Sequence, residues 1–193
     1  VNSFGNVTLS SGAYLDLTNN QANNLAGGLL VQANSASVIV IGSGTHLNIA
    51  NNTAVDGGGA HVQDGQFVVM SGATVDVQFN EASSGGGGFR LGSAGTSVSV
   101  TGKGTRLLIH GNTAQTGGGV HASDSATIKV TSDARLEVNN NKASDNGGGI
   151  YANTLATVVL SSAENHQVAN NTATGHGGGF YLSDAVVTLA GVG

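Results

Sequence analysis

Three acidic residues could cleave glycosidic bonds if the fold brings them into line. Alignment of the chain on its recurring glycine triplets gives a column that reads Asp16, Asn48, Asp76, Leu108, Glu137 and Gln167. Paired carboxylates about 5–5.5 Å apart suit a retaining glycosidase, and pairs about 6.5–9.5 Å apart suit an inverting one. Here Asn48 separates Asp16 from Asp76, and Leu108 separates Asp76 from Glu137. Since no obvious basic or aromatic subsite flanks either pair, we predict no catalytic residues and interpret the column as a solvated strand face.

A second column combines imidazole, guanidinium and phenol groups. After Leu30 it contains His61, Arg90, His121, Tyr151 and Tyr181. Tyr and His rings have flat amphipathic surfaces that suit stacking against a sugar or a partner protein. Residues of this kind also stack on one another across neighbouring strands for purely structural reasons. Both interpretations stay open, and the five residues after Leu30 are our candidate ligand-binding residues.

The histidines do not predict a metal site. His61 and His121 are separated by two repeats, with Arg90 between them, and this arrangement does not suit the tetrahedral coordination of zinc. The chain also has no Cys to serve as a ligand. We therefore predict neither a metal nor a cofactor.

The composition excludes several classes of protein. The 193 residues include 32 Gly, and only 9% are charged, whereas 39% are hydrophobic, a share that a disordered chain lacks. A net charge of -5, with Lys and Arg scattered, argues against a nucleic-acid partner. No apolar run approaches the roughly 18 residues that a membrane span needs, so we predict no span in this segment.

Internal repeats dominate the sequence. A glycine-rich element recurs every 29 to 31 residues, and its copies begin at Ala26, Gly57, Gly86, Gly117, Gly147 and Gly177. An Asn-x-Ala element precedes each copy, with its asparagine at Asn20, Asn52, Asn80, Asn112, Asn141 and Asn171. An amide both donates and accepts hydrogen bonds, so identical Asn residues on stacked repeats can bond to one another and to nearby backbone groups. We predict that these six residues form a structural Asn ladder at a turn.

Each repeat contains three short stretches with the alternation of a β-strand, and nowhere is there a helical pattern of useful length. Three short strands cannot bury a face alone, but stacking successive repeats lets each strand pair in parallel with its equivalent. The sequence therefore predicts an all-β fold: a single-stranded parallel β-helix, or β-solenoid, of six to seven rungs of about 30 residues. We expect a right-handed coil, because connections between parallel strands usually are right-handed.

The combination of apolar-x-x-Asn-x-Ala and Gly-Gly-small-aliphatic resembles the repeat of chlamydial polymorphic outer membrane proteins. That family pairs Phe-x-x-Asn with Gly-Gly-Ala-aliphatic. The Phe position here holds Leu17, Ile49, Val77, Ile109, Val138 and Val168, and a third Gly stands where the family has Ala. The resemblance implies a secreted, passenger-like, right-handed β-helix that acts in adhesion or as a surface scaffold.

The expected function is therefore that of an extracellular or cell-surface structural and adhesive protein, without catalysis. The alternative is a carbohydrate-binding or polysaccharide-cleaving β-helix that uses one of the two columns above. Possible ligands are a glycan or a surface protein.

The whole chain is expected to form one solenoid domain. Because the repeat count is fractional and neither end shows a polar cap, we expect either flanking repeats in a longer protein or end-to-end association into a filament. Sequons at Asn6, Asn51 and Asn170 would be glycosylated only in a eukaryotic secretory pathway.

Overall fold

The computed structural model describes residues 2–3, 5–33, 35–161 and 164–191, with side chains from residue 5 onward. Val1, Phe4, Asn34, Ser162, Ala163, Val192 and Gly193 lie outside the described residues, and the expectation of uncapped chain ends depends partly on them. Within the described ranges there are only strands, turns and irregular segments.

The strands form four parallel sheets, which we number in the order in which each rung visits them. Sheet 1 contains β2 (Asn6–Leu9), β5 (Ser37–Ile41), β9 (Gln66–Met70), β13 (Ser97–Thr101), β17 (Thr127–Thr131), β21 (Thr157–Ser161) and β25 (Val186–Ala190). Sheet 2 contains β3 (Tyr14–Thr18), β6 (His46–Ala50), β10 (Thr74–Gln78), β14 (Arg106–His110), β18 (Arg135–Asn139) and β22 (Gln167–Ala169). Sheet 3 contains β7 (Thr53–Ala54), β11 (Glu81–Ala82), β15 (Thr113–Ala114), β19 (Lys142–Ala143) and β23 (Thr172–Ala173). Sheet 4 contains β1 (Asn2–Ser3), β4 (Leu29–Gln32), β8 (Ala60–Gln63), β12 (Phe89–Gly92), β16 (Val120–Ala122), β20 (Ile150–Asn153) and β24 (Phe180–Ser183).

The predicted fold class is confirmed: the chain is an all-β parallel solenoid of about six turns, with about 30 residues in each rung. Sheet 3 is an addition to the three strands that the sequence indicated. Its strands are only two residues long, and a stretch of that length shows no alternation. The right-handed coil stays a prediction.

The core fills the space that the sheets enclose. Side chains alternate along each strand, so that Val38 and Val40 of β5 are 1% and 0% exposed while Ile39 lies between them on the outer face. The rings of Phe67 and Phe89 meet edge to face across the core, with their centroids 5.2 Å apart. Each aliphatic side chain removed from water in this way contributes about 1.5–3 kcal/mol, which makes the inner face the main source of stability.

The glycine triplet lets the backbone of one rung approach the next. Gly117 has a φ of 61°, a conformation that suits glycine. A Cβ on Gly118 would collide with the backbone carbonyl of Lys142 and lie 2.6 Å from the carbonyl oxygen of Gly148. The corner between sheets 3 and 4 therefore has no room for a side chain at its middle position.

The six Asn side chains occupy the corner between sheets 2 and 3, and their spacing ranges from 28 to 32 residues. Asn80 shows the bonding: its Oδ1 accepts hydrogen bonds from the backbone N (2.9 Å) and the Nδ2 (3.0 Å) of Asn52. Its Nδ2 donates to the carbonyl of Ile49 at 2.9 Å and to Oδ1 of Asn112 at 3.0 Å. The other interior members repeat this bonding, and the two end members make part of it. Together the six form one chain of hydrogen bonds, through Asn20, Asn52, Asn80, Asn112, Asn141 and Asn171.

We expect Asn80→Ala to lower the free energy of unfolding by about 2–4 kcal/mol, because it leaves several buried polar groups of its neighbours without partners. Asn80 is 1% exposed. Urea unfolding followed by circular dichroism measures the loss.

Asn48→Ala is the matched control. Asn48 precedes the Asn52 corner on the outer face of sheet 2, and among the described residues its amide bonds only to the side chains of Asp16 and Gln78. Its replacement should cost less than about 1 kcal/mol. Equal losses in the two variants would show that the Asn corner contributes no more to stability than an Asn on the outer face.

Candidate functional site

The five candidate ligand-binding residues form one continuous row on the outer face of sheet 4. Arg90 pairs in register with His61 on one side and His121 on the other, and Tyr151 follows and pairs with Tyr181. The row therefore occupies β8, β12, β16, β20 and β24, one residue in each rung. Parallel pairing places the same strand position of successive rungs side by side, which is why a column of the aligned sequence becomes a row of neighbours.

The histidine end of the row is covered by the segments that lead into the glycine triplets. His61 is only 6% exposed, and a Cβ on Gly57 would lie 2.8 Å from its Cβ. A Cβ on Gly85 would lie 2.6 Å from Nδ1 of His121. This covering could not be predicted from the sequence, because nothing in the alternation of a strand shows where the preceding turn will lie.

His61, which is buried, and His121, which is partly buried, have few hydrogen-bonding partners. Nδ1 of His121 lies 2.9 Å from the hydroxyl oxygen of Thr116. Nδ1 of His61 is buried and makes no hydrogen bond within the described part of the chain. Arg90, between them, donates from Nη1 to the hydroxyl of Ser123 at 2.9 Å and to the carbonyl of Leu91 at 3.2 Å.

The surroundings keep both imidazoles neutral. Burial, assisted by the positive charge of Arg90, lowers the pKa of His61 to about 4. Burial and the same guanidinium lower the pKa of His121 to about 3. A buried imidazole beside a cation disfavours a second positive charge, so neither group is suited to proton transfer near neutral pH.

The tyrosine end of the row is a stack of rings. The ring centroids of His121 and Tyr151 are 4.5 Å apart, and those of Tyr151 and Tyr181 are 5.0 Å apart with planes within 9° of parallel. Both tyrosines are partly exposed. The contacts within the row are those of cross-strand stacking, and its role in ligand binding stays a prediction.

The acidic column lies on the outer face of sheet 2, and its carboxylates contact residues of neighbouring rungs. Asp16 accepts a hydrogen bond from the amide of Asn48 at 2.8 Å. Asp76 Oδ1 lies 2.8 Å from Nε2 of His110. Sequence reasoning missed this pair, because His110 belongs to the next rung and to a different column of the sheet.

Glu137 contacts two cations that lie in a different column of the aligned sequence. Its Oε1 lies 2.7 Å from Nη2 of Arg106 and 3.0 Å from Nε of Arg135. The two arginines occupy the first position of consecutive strands, so their alignment was available as a signal in the repeat. The expectation that no basic residues flank the acidic column is therefore wrong at Glu137.

The described residues contain neither a metal-binding cluster nor a membrane-spanning helix. No group of three or more His, Asp or Glu side chains is placed to hold a metal ion. The described residues also include no helix with the length and hydrophobicity of a membrane span.

The depressed histidine pKa values predict that the fold loses stability in acid. Well above pH 6.5, His61 and His121 are neutral in both the folded and the unfolded chain, so their ionisation does not reduce the free energy of unfolding. As the pH falls from 6.5 towards 4, the unfolded chain takes up protons that the folded chain cannot, and stability declines. For His61 the total loss is about 3 kcal/mol.

Urea unfolding at a series of pH values tests this expectation. The decline between pH 7 and 4.5 should be smaller in His61→Gln than in the parent chain. His176→Gln, at an exposed histidine, is the control and should decline as the parent does. The same decline in all three proteins would contradict the prediction.

Comparison with known protein families gave a match to one part of the chain. Residues 135–153 match the model of the Chlamydia polymorphic membrane protein repeat. Searches of curated proteins and of solved structures gave no significant match. The matched residues run from β18 through Asn141 and the triplet at Gly147 to β20. They span one strand each of sheets 2, 3 and 4, together with one Asn corner. The resemblance that the sequence indicated is thus confirmed: over these residues the chain is similar to the chlamydial polymorphic membrane protein repeat, within a parallel β-solenoid that fits a surface structural scaffold.

Proposed function

We propose that this chain is a structural and adhesive element of an extracellular or cell surface, and that it has no catalytic activity. Its similarity to a repeat of polymorphic membrane proteins supports the surface location. The repeated construction supports the structural role, because a stack of rungs makes a stiff rod whose outer columns display side chains at regular intervals.

The observation that carries the proposal is the engagement of the carboxylates on sheet 2. Asp16 accepts a hydrogen bond from Asn48, and Asp76 lies within hydrogen-bond distance of His110. Glu137 accepts a hydrogen bond from Arg106 and forms an ion pair with Arg135. A retaining or inverting glycosidase needs one carboxyl as a proton donor and a second placed to attack or to activate water. Carboxylates that tie neighbouring rungs together, with Asn48 or Leu108 between them, support a structural role instead.

Incubation with a panel of neutral and acidic polysaccharides tests the absence of catalysis. We expect no release of reducing ends and no unsaturated uronide products. Release that disappears in Asp76→Asn or Glu137→Gln, but persists in the exposed-turn variant Asp184→Asn, would contradict the proposal.

Labelling of intact cells tests the surface location. Antibodies raised against the folded chain should label unpermeabilised cells of the source organism, because a surface scaffold is accessible from outside. An antibody against a cytoplasmic protein serves as the control and should label only permeabilised cells. Labelling by both antibodies only after permeabilisation would overturn the location that we propose.

The remaining partner expectations from the sequence stay predictions. They comprise end-to-end association or flanking repeats, and a glycan or surface-protein ligand. The three sequon asparagines, Asn6, Asn51 and Asn170, are exposed.

A further inference from the structure

One corner of the solenoid carries an aromatic residue where its geometry favours Asn or Gly. The residue that follows each strand of sheet 2 has a φ between 52° and 68°, and the series reads Asn19, Asn51, Phe79, Gly111, Asn140 and Asn170. Asn and Gly tolerate this left-handed conformation, whereas a bulky side chain makes it unfavourable. Phe79 is nevertheless in this conformation, with 58% of its surface exposed. A strained, exposed aromatic residue is a reason to look for a function.

The ring of Phe79 is held in place by the next rung. A Cβ on Gly111 would lie 2.6 Å from both Cδ1 and Cε1 of the ring, so the ring occupies the space that a side chain at this position would fill. The imidazole of His110 meets the ring edge to face, with centroids 5.6 Å apart. Gly111 and His110 thus support the ring and leave much of its surface to solvent.

A small groove continues from His110 across the outer face of sheet 2. Its volume is about 220 Å³, and its lining includes Leu108, His110, Glu137 and Asn140. Pockets for drug-sized ligands typically measure about 300–1,000 Å³, so this groove has room for roughly one sugar ring.

The groove combines an apolar surface with hydrogen-bonding groups. Leu108 supplies aliphatic surface on the strand between Asp76 and Glu137. The exposed side-chain amide of Asn140 makes no hydrogen bond within the described residues, and Glu137 contributes a carboxylate. A pyranose has matching features, since its C–H face packs on aromatic and aliphatic surface and its hydroxyls bond to amides and carboxylates.

The charges around the groove favour an uncharged ligand. Asp76 is within hydrogen-bond distance of His110, and Glu137 forms ion pairs with Arg106 and Arg135. A charged sugar would compete with these interactions, whereas a neutral one leaves them in place.

We propose that Phe79 and the groove beyond His110 form a binding site for a neutral pyranose unit of a glycan. The site is separate from the His/Arg/Tyr row, which lies on sheet 4. The proposal names the class of ligand for the adhesive role proposed above. It rests on that proposed function only in expecting the glycan to be encountered at the cell surface.

A titration of the full chain with methyl glycosides of glucose, galactose, mannose and N-acetylglucosamine tests the site. At 18.9 kDa the protein is suited to NMR, and at least one of the sugars should shift the ring resonances of Phe79 and His110 at millimolar concentration. In Phe79→Asn, which installs the residue found at this corner in four other rungs, the affinity measured at His110 should fall at least fivefold. Urea unfolding should show that this variant is at least as stable as the parent, because Asn tolerates the left-handed conformation.

Leu155→Asn is the matched control. Leu155 is also an exposed apolar residue with a positive φ of 65°, but it lies in the turn between sheets 4 and 1. This variant should bind the sugar as the parent does. The proposal is overturned if no sugar in the panel shifts the Phe79 and His110 resonances, if Phe79→Asn binds as well as the parent, or if both variants lose binding equally. None of these outcomes bears on cell-surface labelling, which tests the proposed function separately.

Discussion

Parallel stacking of the rungs in register is the constraint on which the rest of the structure depends. A strand that pairs with its own equivalent places each residue beside the same position of the next rung. A buried polar residue is therefore satisfactory only if its neighbour in the column can complete its hydrogen bonds. Asn meets this condition with one amide: each Oδ1 accepts two bonds and each Nδ2 donates two, so the corner through Asn52, Asn80 and Asn112 leaves no polar atom of these side chains unpaired.

Buried threonines meet the same demand at other turns. The hydroxyl of Thr105 accepts a hydrogen bond from the backbone N of Gly72 on the preceding rung and donates to the carbonyl of Thr101. Thr45 makes the equivalent pair of bonds with Gly12 and Ile41. A turn whose polar groups bond within the turn and to the next rung needs few charged residues. This is consistent with the low charged share of 9% in a chain that buries a continuous aliphatic core.

The residues that depart from the repeat distinguish one rung from another. Arg90 stands between two neutral imidazoles under a covering turn, and Phe79 replaces Asn at a left-handed corner. The second departure costs stability, because it forces an aromatic residue into an unfavourable backbone conformation. The first places a guanidinium where Asp56 can offset its charge, with Oδ1 of Asp56 3.9 Å from Nε of Arg90. The cost at Phe79 is tolerated because the stack of regular rungs on either side fixes the backbone around it.

The sequence by itself determined the parallel solenoid, its repeat length and the membership of each outward column, because in-register stacking converts sequence period directly into spatial adjacency. The acidic column and the His/Arg/Tyr row are therefore contiguous in the structure as in the alignment. Only the tertiary structure decided which side chains of different columns touch and which turns cover a strand. The bond between Asp76 and His110 crosses from one column to another, and the burial of His61 depends on the path of the turn that covers it. Sheet 3 was likewise invisible, since two residues are too few to show a period. A repeat specifies which residues share a row, whereas side-chain rotamers and turn paths decide which rows touch.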